Sequence, residues 1–263
     1  MAAIKAIYRY PVKSLGGESL ESASVLNYGI EFDRNWMIID ENNDFVTQRE
    51  MPRLTQFSAF IREGQLSIRD NADGDIISIP VGLKGDKEVS TAVWRSKVVA
   101  QSTDSVVDDW LSTKIGAKLR LVTVGQSFSR KKRFESNNFP VRFADGYPLL
   151  ILGQASVDAL NQKLETPVGA DRFRTNILLE DCGPHTEDIA KSFYNENISF
   201  IKVKQCRRCI MVNTNQKTGE VLKEPLKTLT EYRKVGRDIM FGVNVFAEAE
   251  GDIKRGDKLE IEL

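Results

Sequence analysis

The stretch that decides the fold runs from residue 201 to residue 212 and reads Ile201-Lys202-Val203-Lys204-Gln205-Cys206-Arg207-Arg208-Cys209-Ile210-Met211-Val212. Apolar and polar residues alternate up to the Cys-Arg-Arg-Cys motif, and a β-branched, apolar segment follows it. Alternation with a period of two is typical of a β-strand, so we predict that two strands meet at this motif. Neighbouring positive charge favours a cysteine thiolate, which is a soft metal ligand or a nucleophile.

The composition limits the classes of protein that this chain can belong to. Its 263 residues suffice for one large domain or two small ones with a sizeable core. Lysine plus arginine equals aspartate plus glutamate, at 37 each, so we expect no nucleic-acid and no membrane partner. Three cysteines fit a reducing compartment better than a disulfide framework. Without a signal-peptide core or an apolar run that could span a bilayer, we predict a cytoplasmic protein.

Short apolar segments separated by turn residues fill the first hundred residues of the chain. They lie at 4–10, 37–40, 57–61, 66–68, 76–79, 91–94 and 98–101. This spacing predicts a barrel or sandwich of β-strands. A helical period follows, with one apolar face formed by Val106, Val107, Trp110, Leu111 and Ile115. We place a domain boundary near Gly125, which gives an N-terminal domain of residues 1–125 and a C-terminal domain of residues 126–263.

The second half of the chain mixes strands with a few helices. Helical patterns begin near Gly153 and recur around 187–193 and 226–233. Strand patterns occupy 149–152, 177–179, 241–247 and 258–263. The overall class that these patterns predict is a mixed, β-rich α+β fold.

The cysteines allow three chemical interpretations. Cys182-x-x-His185 with Cys206-x-x-Cys209 has the pair spacing of a zinc site. Cys-x-x-Cys alone could be a redox pair, although such pairs act at a helix N-terminus and this one is predicted between strands. A thiolate could also complete a metal that is already held by a phosphate-bearing pterin. Groups suited to such a ligand lie at Lys13, Ser14, Arg34, Arg174, Asn176 and Cys209.

Seven motifs in one order carry a resemblance to a known family. They are Pro11-Val12-Lys13-Ser14, Asp33-Arg34-Asn35-Trp36, Phe143-Ala144-Asp145-Gly146-Tyr147-Pro148, Phe173-Arg174-Thr175-Asn176, Cys206-Arg207-Arg208-Cys209, Glu224-Pro225-Leu226-Lys227-Thr228-Leu229 and Phe241-Gly242-Val243-Asn244. Together they resemble the MOSC family with its companion N-terminal β-barrel domain, which includes the mitochondrial amidoxime reducing component and its bacterial homologues. The resemblance covers nearly the whole chain. It implies an N-terminal β-barrel-like domain and a MOSC β-barrel domain with a few helices.

The resemblance also implies a molybdenum cofactor, a molybdenum–molybdopterin group held between the two domains. Cys209 matches the thiolate ligand of molybdenum and the catalytic position. The matching cofactor-binding positions are Lys13, Ser14, Arg34, Arg174, Asn176, Arg208 and Asn244. Cys206 matches a recurrent second cysteine of structural role. The chain departs from the usual family pattern at Arg207, Thr175 and Gly153-Gln154, which affects the detail of cofactor contacts.

By this resemblance we expect an oxidoreductase that reduces small N-hydroxylated or N-oxygenated compounds. The alternative is a non-catalytic carrier or binding protein for molybdenum cofactor or sulfur, which would need nearly the same residues. Three cysteines cannot supply the four thiolates of a ferredoxin centre, and the chain stops at Leu263 without an iron–sulfur domain. We therefore expect a separate electron-transfer protein, ferredoxin-like or a flavoprotein, with the basic run 130–133 as its docking patch.

Overall fold

The computed structural model describes residues 1–263, and β-strands dominate it. The first eleven strands are β1 (Ala2–Arg9), β2 (Glu18–Leu20), β3 (Ser22–Leu26), β4 (Gly29–Ile30), β5 (Trp36–Ile39), β6 (Phe57–Arg62), β7 (Gln65–Asp70), β8 (Ile76–Pro80), β9 (Glu88–Val93), β10 (Ser96–Ser102) and β11 (Arg120–Val124). The other ten are β12 (Lys131–Phe134), β13 (Asn137–Pro140), β14 (Leu149–Gly153), β15 (Ile177–Glu180), β16 (Ser192–Tyr194), β17 (Ser199–Arg208), β18 (Lys234–Val235), β19 (Asp238–Ala247), β20 (Gly251–Lys254) and β21 (Lys258–Glu262). The helices are α1 (Ser105–Ile115), α2 (Gln154–Asn161), α3 (Thr186–Ile189) and α4 (Leu226–Tyr232), with 3-10 turns at Pro52–Gln56, Ala170–Phe173 and Ile210–Asn213.

Seven strands, six of them from the second half of the chain, close into a barrel. Their order is β14-β15-β1-β21-β16-β17-β19, and β14 pairs with β19 to complete the ring. The interior is filled by a cluster of 18 buried apolar residues, among them Ile7, Phe193, Phe200 and Val243. With 21 strands and four short helices, the structure confirms the predicted mixed, β-rich α+β class.

The first strand of the chain belongs to this barrel rather than to the N-terminal half. β1 pairs with β15 on one side and with β21 on the other, and it contributes Ile4 and Ile7 to the barrel core. β3 pairs likewise with β20. The polypeptide therefore crosses between the two halves more than once. The predicted boundary at residues 125 and 126 stays a prediction.

The N-terminal half is built from two smaller sheets and one helix. β5-β11-β10-β9 form a four-stranded sheet, and β6-β7-β8 form a three-stranded one. The predicted helix is confirmed as α1, whose N-terminus is capped by the Asp104 carboxylate and whose C-terminus ends at Gly116 with φ 81°. Leu111 of this helix packs with Trp36 and Phe57 in a core of 15 buried residues.

Two local predictions are wrong. The apolar segment after Cys209 is not a second strand, because Ile210–Asn213 form a 3-10 turn. Val212 and Asn213 are buried in this turn, and the side chain of Asn213 accepts a hydrogen bond from the backbone of Leu226. The helix expected around 187–193 is the shorter α3, since Ser192–Tyr194 pair with β17 and β21 as β16.

The helices are short. The longest, α1, has 11 residues, and none combines the length with the apolar character needed to cross a bilayer.

Candidate functional site

The loop after β1 places Lys13 and Ser14 at the seam between the two halves. A bridge between Val12 and Trp36 fixes the loop, and Ser14 adopts φ 70°, a left-handed conformation that is costly for serine. The Lys13 ammonium is buried, donates a hydrogen bond to the Phe143 carbonyl at 3.0 Å and pairs with the carboxylate of Asp145. The chain thus holds one buried cation at the seam.

Lys13 and Asp145 influence each other's charge. Burial lowers the pKa of Lys13, and the neighbouring Asp145 partly offsets this effect. Burial by itself would raise the pKa of Asp145, but the charge and hydrogen bond of Lys13, the charge of Arg49 and the hydrogen bond from Trp94 together outweigh burial and hold that pKa well below its usual range. Because half of the Asp145 side chain is exposed, at 55%, its charge also faces the solvent-accessible side of the site.

Arg34 and Arg174 form a second group of cations around Tyr10. Their guanidinium carbons lie 4.5 and 4.3 Å from the centre of the tyrosine ring. Arg34 also donates to the carbonyl of Arg174 at 3.2 Å and pairs with Asp33. Burial, followed by the charge of Arg34, lowers the pKa of Arg174 to about 10. Two like charges so close together favour a bound anion.

Both arginines have strained, left-handed backbone conformations, and both side chains reach the Tyr10 ring. Arg34 has φ 46° in the turn before β5, and Arg174 has φ 51° at the end of a 3-10 turn. Asn176 follows at the start of β15 and is buried. Its side-chain oxygen accepts from Arg34 at 3.2 Å, and its amide donates to the Tyr8 carbonyl at 3.2 Å.

Arg208 lies at the end of β17 with one nitrogen left over. Its Nε donates to the Phe241 carbonyl at 2.8 Å and its Nη1 to the Phe173 carbonyl at 3.0 Å, whereas its buried Nη2 has no hydrogen-bond acceptor. Gly242 leaves room there: it has φ 71°, and an added Cβ would stand 3.3 Å from Nη2. A buried donor without an acceptor costs free energy, so an anion that accepts a hydrogen bond from Nη2 would be stabilised here.

Cys209 begins the 3-10 turn and is the exposed thiol of the chain, whereas Cys182 and Cys206 are half-buried. Arg49 donates a hydrogen bond to Cys209 Sγ at 3.3 Å. The same guanidinium stacks on Trp94 at 4.7 Å and pairs with Asp145 at 3.5 Å. The thiol thus stands at the solvent side of the cation cluster.

The structure joins most of the predicted site residues into one network. Contacts through Arg49 and Asp145 connect Cys209 to Lys13, and Arg174 donates to the Leu15 carbonyl at 2.7 Å. The residues gathered in this way are Lys13, Arg34, Arg174, Asn176 and Cys209. Ser14 and Arg208 are the chain neighbours of Lys13 and Cys209. Asn244 lies on β19 opposite Leu150 and Lys204 and makes no side-chain hydrogen bond. Its proposed role stays a prediction.

Sequence reasoning missed Arg49, Trp94 and Asp145 as parts of this site. Asp145 lies inside the Phe143–Pro148 motif of the family resemblance, but the motif alone gives it no role in the site. Arg49 and Trp94 carry no local signal, because each follows an ordinary strand pattern. The fold alone brings Arg49 to Cys209 and Trp94 to Arg49.

The geometry does not support one sequence-based interpretation and bears on a second. No group of three or more His, Cys, Asp or Glu side chains is placed to hold a metal ion, so Cys182, His185, Cys206 and Cys209 do not form a zinc site. The basic run 130–133 is only partly exposed, because Arg130 is 5% exposed, and its role as a docking patch stays a prediction. The Arg130 guanidinium donates inward to backbone carbonyls, including that of Arg142 at 2.8 Å.

The charge balance of the site favours an anionic ligand. Its cations are Lys13, Arg34, Arg49, Arg174 and Arg208, and the carboxylates paired with them are Asp33 and Asp145. Guanidinium groups bind phosphate through paired N–H donors, and the thiol alongside can bind a soft metal. The arrangement can therefore hold a phosphate-bearing ligand next to a metal.

Comparison with known proteins agrees with this arrangement. The family described as MOSC N-terminal beta barrel domain matches residues 1–118, and the family described as MOSC domain matches residues 138–260. Mitochondrial amidoxime-reducing component 1 of Danio rerio is 29% identical, over 85% of this chain and 72% of that protein. Its counterpart in Mus musculus is 28% identical, over 95% of this chain and 79% of that protein.

A second kind of relative is longer than this chain. Molybdenum cofactor sulfurase of Oryza sativa subsp. japonica is 29% identical over 97% of this chain, which spans 33% of the length of that protein. Both kinds of relative match at least 85% of this chain. With its N-terminal barrel domain and its MOSC domain, the chain belongs to the MOSC family.

Proposed function

We propose that this protein is a molybdenum-cofactor-dependent reductase of N-hydroxylated or N-oxygenated compounds. The observation that carries the proposal is the cation cluster at the seam beside the exposed Cys209 thiol, together with the unpartnered Nη2 of Arg208, the residue before Cys209. The MOSC domain and the relatives named amidoxime-reducing components support the same chemistry. When bound, molybdenum–molybdopterin supplies oxygen-atom transfer coupled to two-electron chemistry.

The residues of the site fit such a cofactor. The guanidinium groups of Arg34 and Arg174 meet at Tyr10, and Arg208 directly precedes Cys209 with an unpartnered Nη2. Asp33 is the one carboxylate that pairs with these three arginines, and this excess of positive charge suits a pterin phosphate. Lys13 would add a buried positive charge. Cys209 would provide the thiolate that a soft metal prefers. Each of these groups is already held by hydrogen bonds, so little side-chain entropy is lost on binding.

The chain's own residues have separate tasks in this proposal. The buried cations bind and orient the charged end of the cofactor, while Asn176 ties Arg34 to the barrel backbone. The exposed position of Cys209 leaves the reacting side open to a small substrate. We further propose that electrons arrive from a separate ferredoxin-like or flavin-containing protein.

Metal and pterin analysis tests this proposal. Protein purified from a host that makes molybdenum cofactor should carry near-stoichiometric molybdenum and yield a fluorescent pterin oxidation product. It should reduce an N-hydroxylated amidine when a dye supplies the electrons. Protein that contains molybdenum and pterin but shows no dye-driven turnover would contradict the reductase assignment.

Cys209→Ser is the matching variant. It should reduce dye-driven activity by more than about a hundredfold, because it replaces a soft ligand by a hard one. Its thermal unfolding should not change, since the thiol is exposed. Activity equal to that of the unaltered protein would show that Cys209 is not the ligand.

A carrier of molybdenum cofactor or sulfur is the second candidate function. The similarity to molybdenum cofactor sulfurase, over 97% of this chain, favours it. The same cations and the same thiol would serve a carrier. The two functions differ in turnover: a carrier would release cofactor or sulfur to a second protein and would not turn over an N-hydroxylated substrate.

A further inference from the structure

Arg49 is the residue that contacts the sulfur of Cys209, although 160 positions separate them in the chain. Its Nη2 donates to Sγ at 3.3 Å. Arg49 lies in the N-terminal half, whereas Cys209 directly follows the barrel strand β17. The two halves thus meet at the thiol itself.

The Arg49 side chain is held in place from two directions. One face of the guanidinium lies 4.7 Å from the centre of the Trp94 ring, and the carboxylate of Asp145 pairs with it at 3.5 Å. Trp94 in turn donates from Nε1 to Asp145 at 3.2 Å. These three groups form a closed triangle. A planar guanidinium can stack and donate at the same time, which an ammonium cannot do.

The charge of Arg49 is permanent. Burial lowers its pKa, but the contacts with Cys209 and Asp145 together outweigh burial and raise it. The side chain is 21% exposed, so the charge is only partly screened by solvent.

We propose that Arg49 is a positioning residue for Cys209: it fixes the sulfur at the open side of the site and keeps a positive charge beside it. The importance of this contact for turnover rests on the proposed function. The contact itself does not, since it joins two side chains of this chain and can be tested without a cofactor.

The test measures how the thiol discriminates between charged and neutral reagents. Full-length, cofactor-free protein is allowed to react at one pH with anionic dithiobis(nitrobenzoate) and with neutral dithiodipyridine, and peptide mass mapping assigns the product to Cys209. The rate constant with the anionic reagent is divided by the rate constant with the neutral reagent. This ratio does not depend on the fraction of thiolate and reports the local charge. Arg49→Gln should lower this ratio by about threefold. Arg49→Lys should restore it in large part, because it keeps the charge.

Arg207→Gln is the matched control. It removes the same charge two residues from Cys209, but the Arg207 side chain is 72% exposed and pairs with Asp238 at 2.8 Å. The ratio should therefore stay close to that of the unaltered protein. An unchanged ratio for Arg49→Gln, or an equal fall for Arg207→Gln, would overturn the proposal.

Loaded protein gives an independent readout. Arg49→Gln should lower kcat with little change in KM or in molybdenum content, since other residues hold the charged end of the cofactor. If the unaltered protein binds no molybdenum, the proposed function fails while the reagent ratio still decides the role of Arg49.

Discussion

Single residues determine the charge balance of the site, and Lys13 is one example. Its ammonium is buried and depends on one half-exposed carboxylate, that of Asp145. Removal of one member of such a pair leaves an uncompensated charge, which is far more costly than the pair itself is favourable. The stability of the seam is therefore sensitive to Asp145.

Asp145→Asn tests this dependence. We expect a loss of about 1–3 kcal/mol in the free energy of unfolding at pH 7, at the low end of what a buried pair costs because Asp145 is half exposed. Since the folded-state pKa of Asp145 is lowered, its contribution is complete above the unfolded pKa of about 3.9 and is lost as the pH falls below it.

Urea unfolding at several pH values measures the effect. The double variant Lys13→Met, Asp145→Asn is the control, since it removes both charges and should be more stable than Asp145→Asn alone. A single variant as stable as the unaltered protein at pH 7 would show that Lys13 is solvated from another side.

Chemistry at single residues was partly predictable from sequence. Lys13, Arg34 and Arg174 were predictable as anion-binding groups, and the structure places them together. Arg49 was not, because its role arises from a contact across 160 residues. No local pattern encodes such a contact.

Arg130 shows at the element scale that a basic run can be structural. Its guanidinium donates to the carbonyls of Arg142, Ala144 and Asp145, and so it holds the loop that carries Asp145. Burial lowers the pKa of Arg130 to about 10, which leaves it charged at neutral pH. The sequence alone could not distinguish this residue from its exposed neighbours.

Arg130→Gln should lower the free energy of unfolding by about 3 kcal/mol, because several buried carbonyls lose a charged donor. Arg133→Gln is the matched control: that side chain is exposed and should contribute less than about 0.5 kcal/mol. Thermal or urea unfolding compares them. Equal stability of the two variants would show that the contacts of Arg130 contribute no more to stability than those of an exposed arginine.

The start of α2 depends on a carboxyl from α3. Gly153 at the N-cap has no side chain to offer, and Glu187 Oε1 accepts from the Gly153 amide at 3.2 Å and from the Ser156 hydroxyl at 2.7 Å. Glu187 is 1% exposed, and its second oxygen has no hydrogen-bond donor. Burial raises the pKa of Glu187 above its ordinary value of 4.5.

Glu187→Gln should therefore stabilise the protein more at pH 7 than at pH 4. A raised folded-state pKa means that the native state binds the proton more tightly, so the unaltered protein loses stability as the pH rises from 4.5 through the raised value. Glutamine keeps an acceptor oxygen and does not titrate. Melting temperatures at both pH values measure the difference between Glu187→Gln and the unaltered protein. Glu187→Ala, which lacks the acceptor, should be less stable than Glu187→Gln at each pH. A difference between variant and parent that does not change with pH would contradict the assignment.

At the scale of the whole molecule, the sequence predicted a β-rich fold and the helix α1 but not which strands share a sheet. Pairings between distant segments leave no trace in local periodicity. β1 looks like an opening strand of the N-terminal half, yet it pairs with β15 and β21 near the other end of the chain. The barrel is closed by the first residues of the chain.

This topology predicts that residues 126–263 do not fold alone. Without β1, the edges of β15 and β21 are unpaired, and the barrel core loses Ile4 and Ile7. We expect the isolated fragment to lack a cooperative melting transition and to aggregate.

Joining residues 1–30 to residues 126–263 through a flexible glycine–serine linker should restore cooperative unfolding, because it returns β1 and β3 to their partners. The same fusion with Ile4→Asp and Ile7→Asp is the control and should behave like the fragment. Near-ultraviolet circular dichroism and size-exclusion chromatography would distinguish these outcomes, and a monomeric fragment with a sharp melting transition would show that the barrel closes without its first strand.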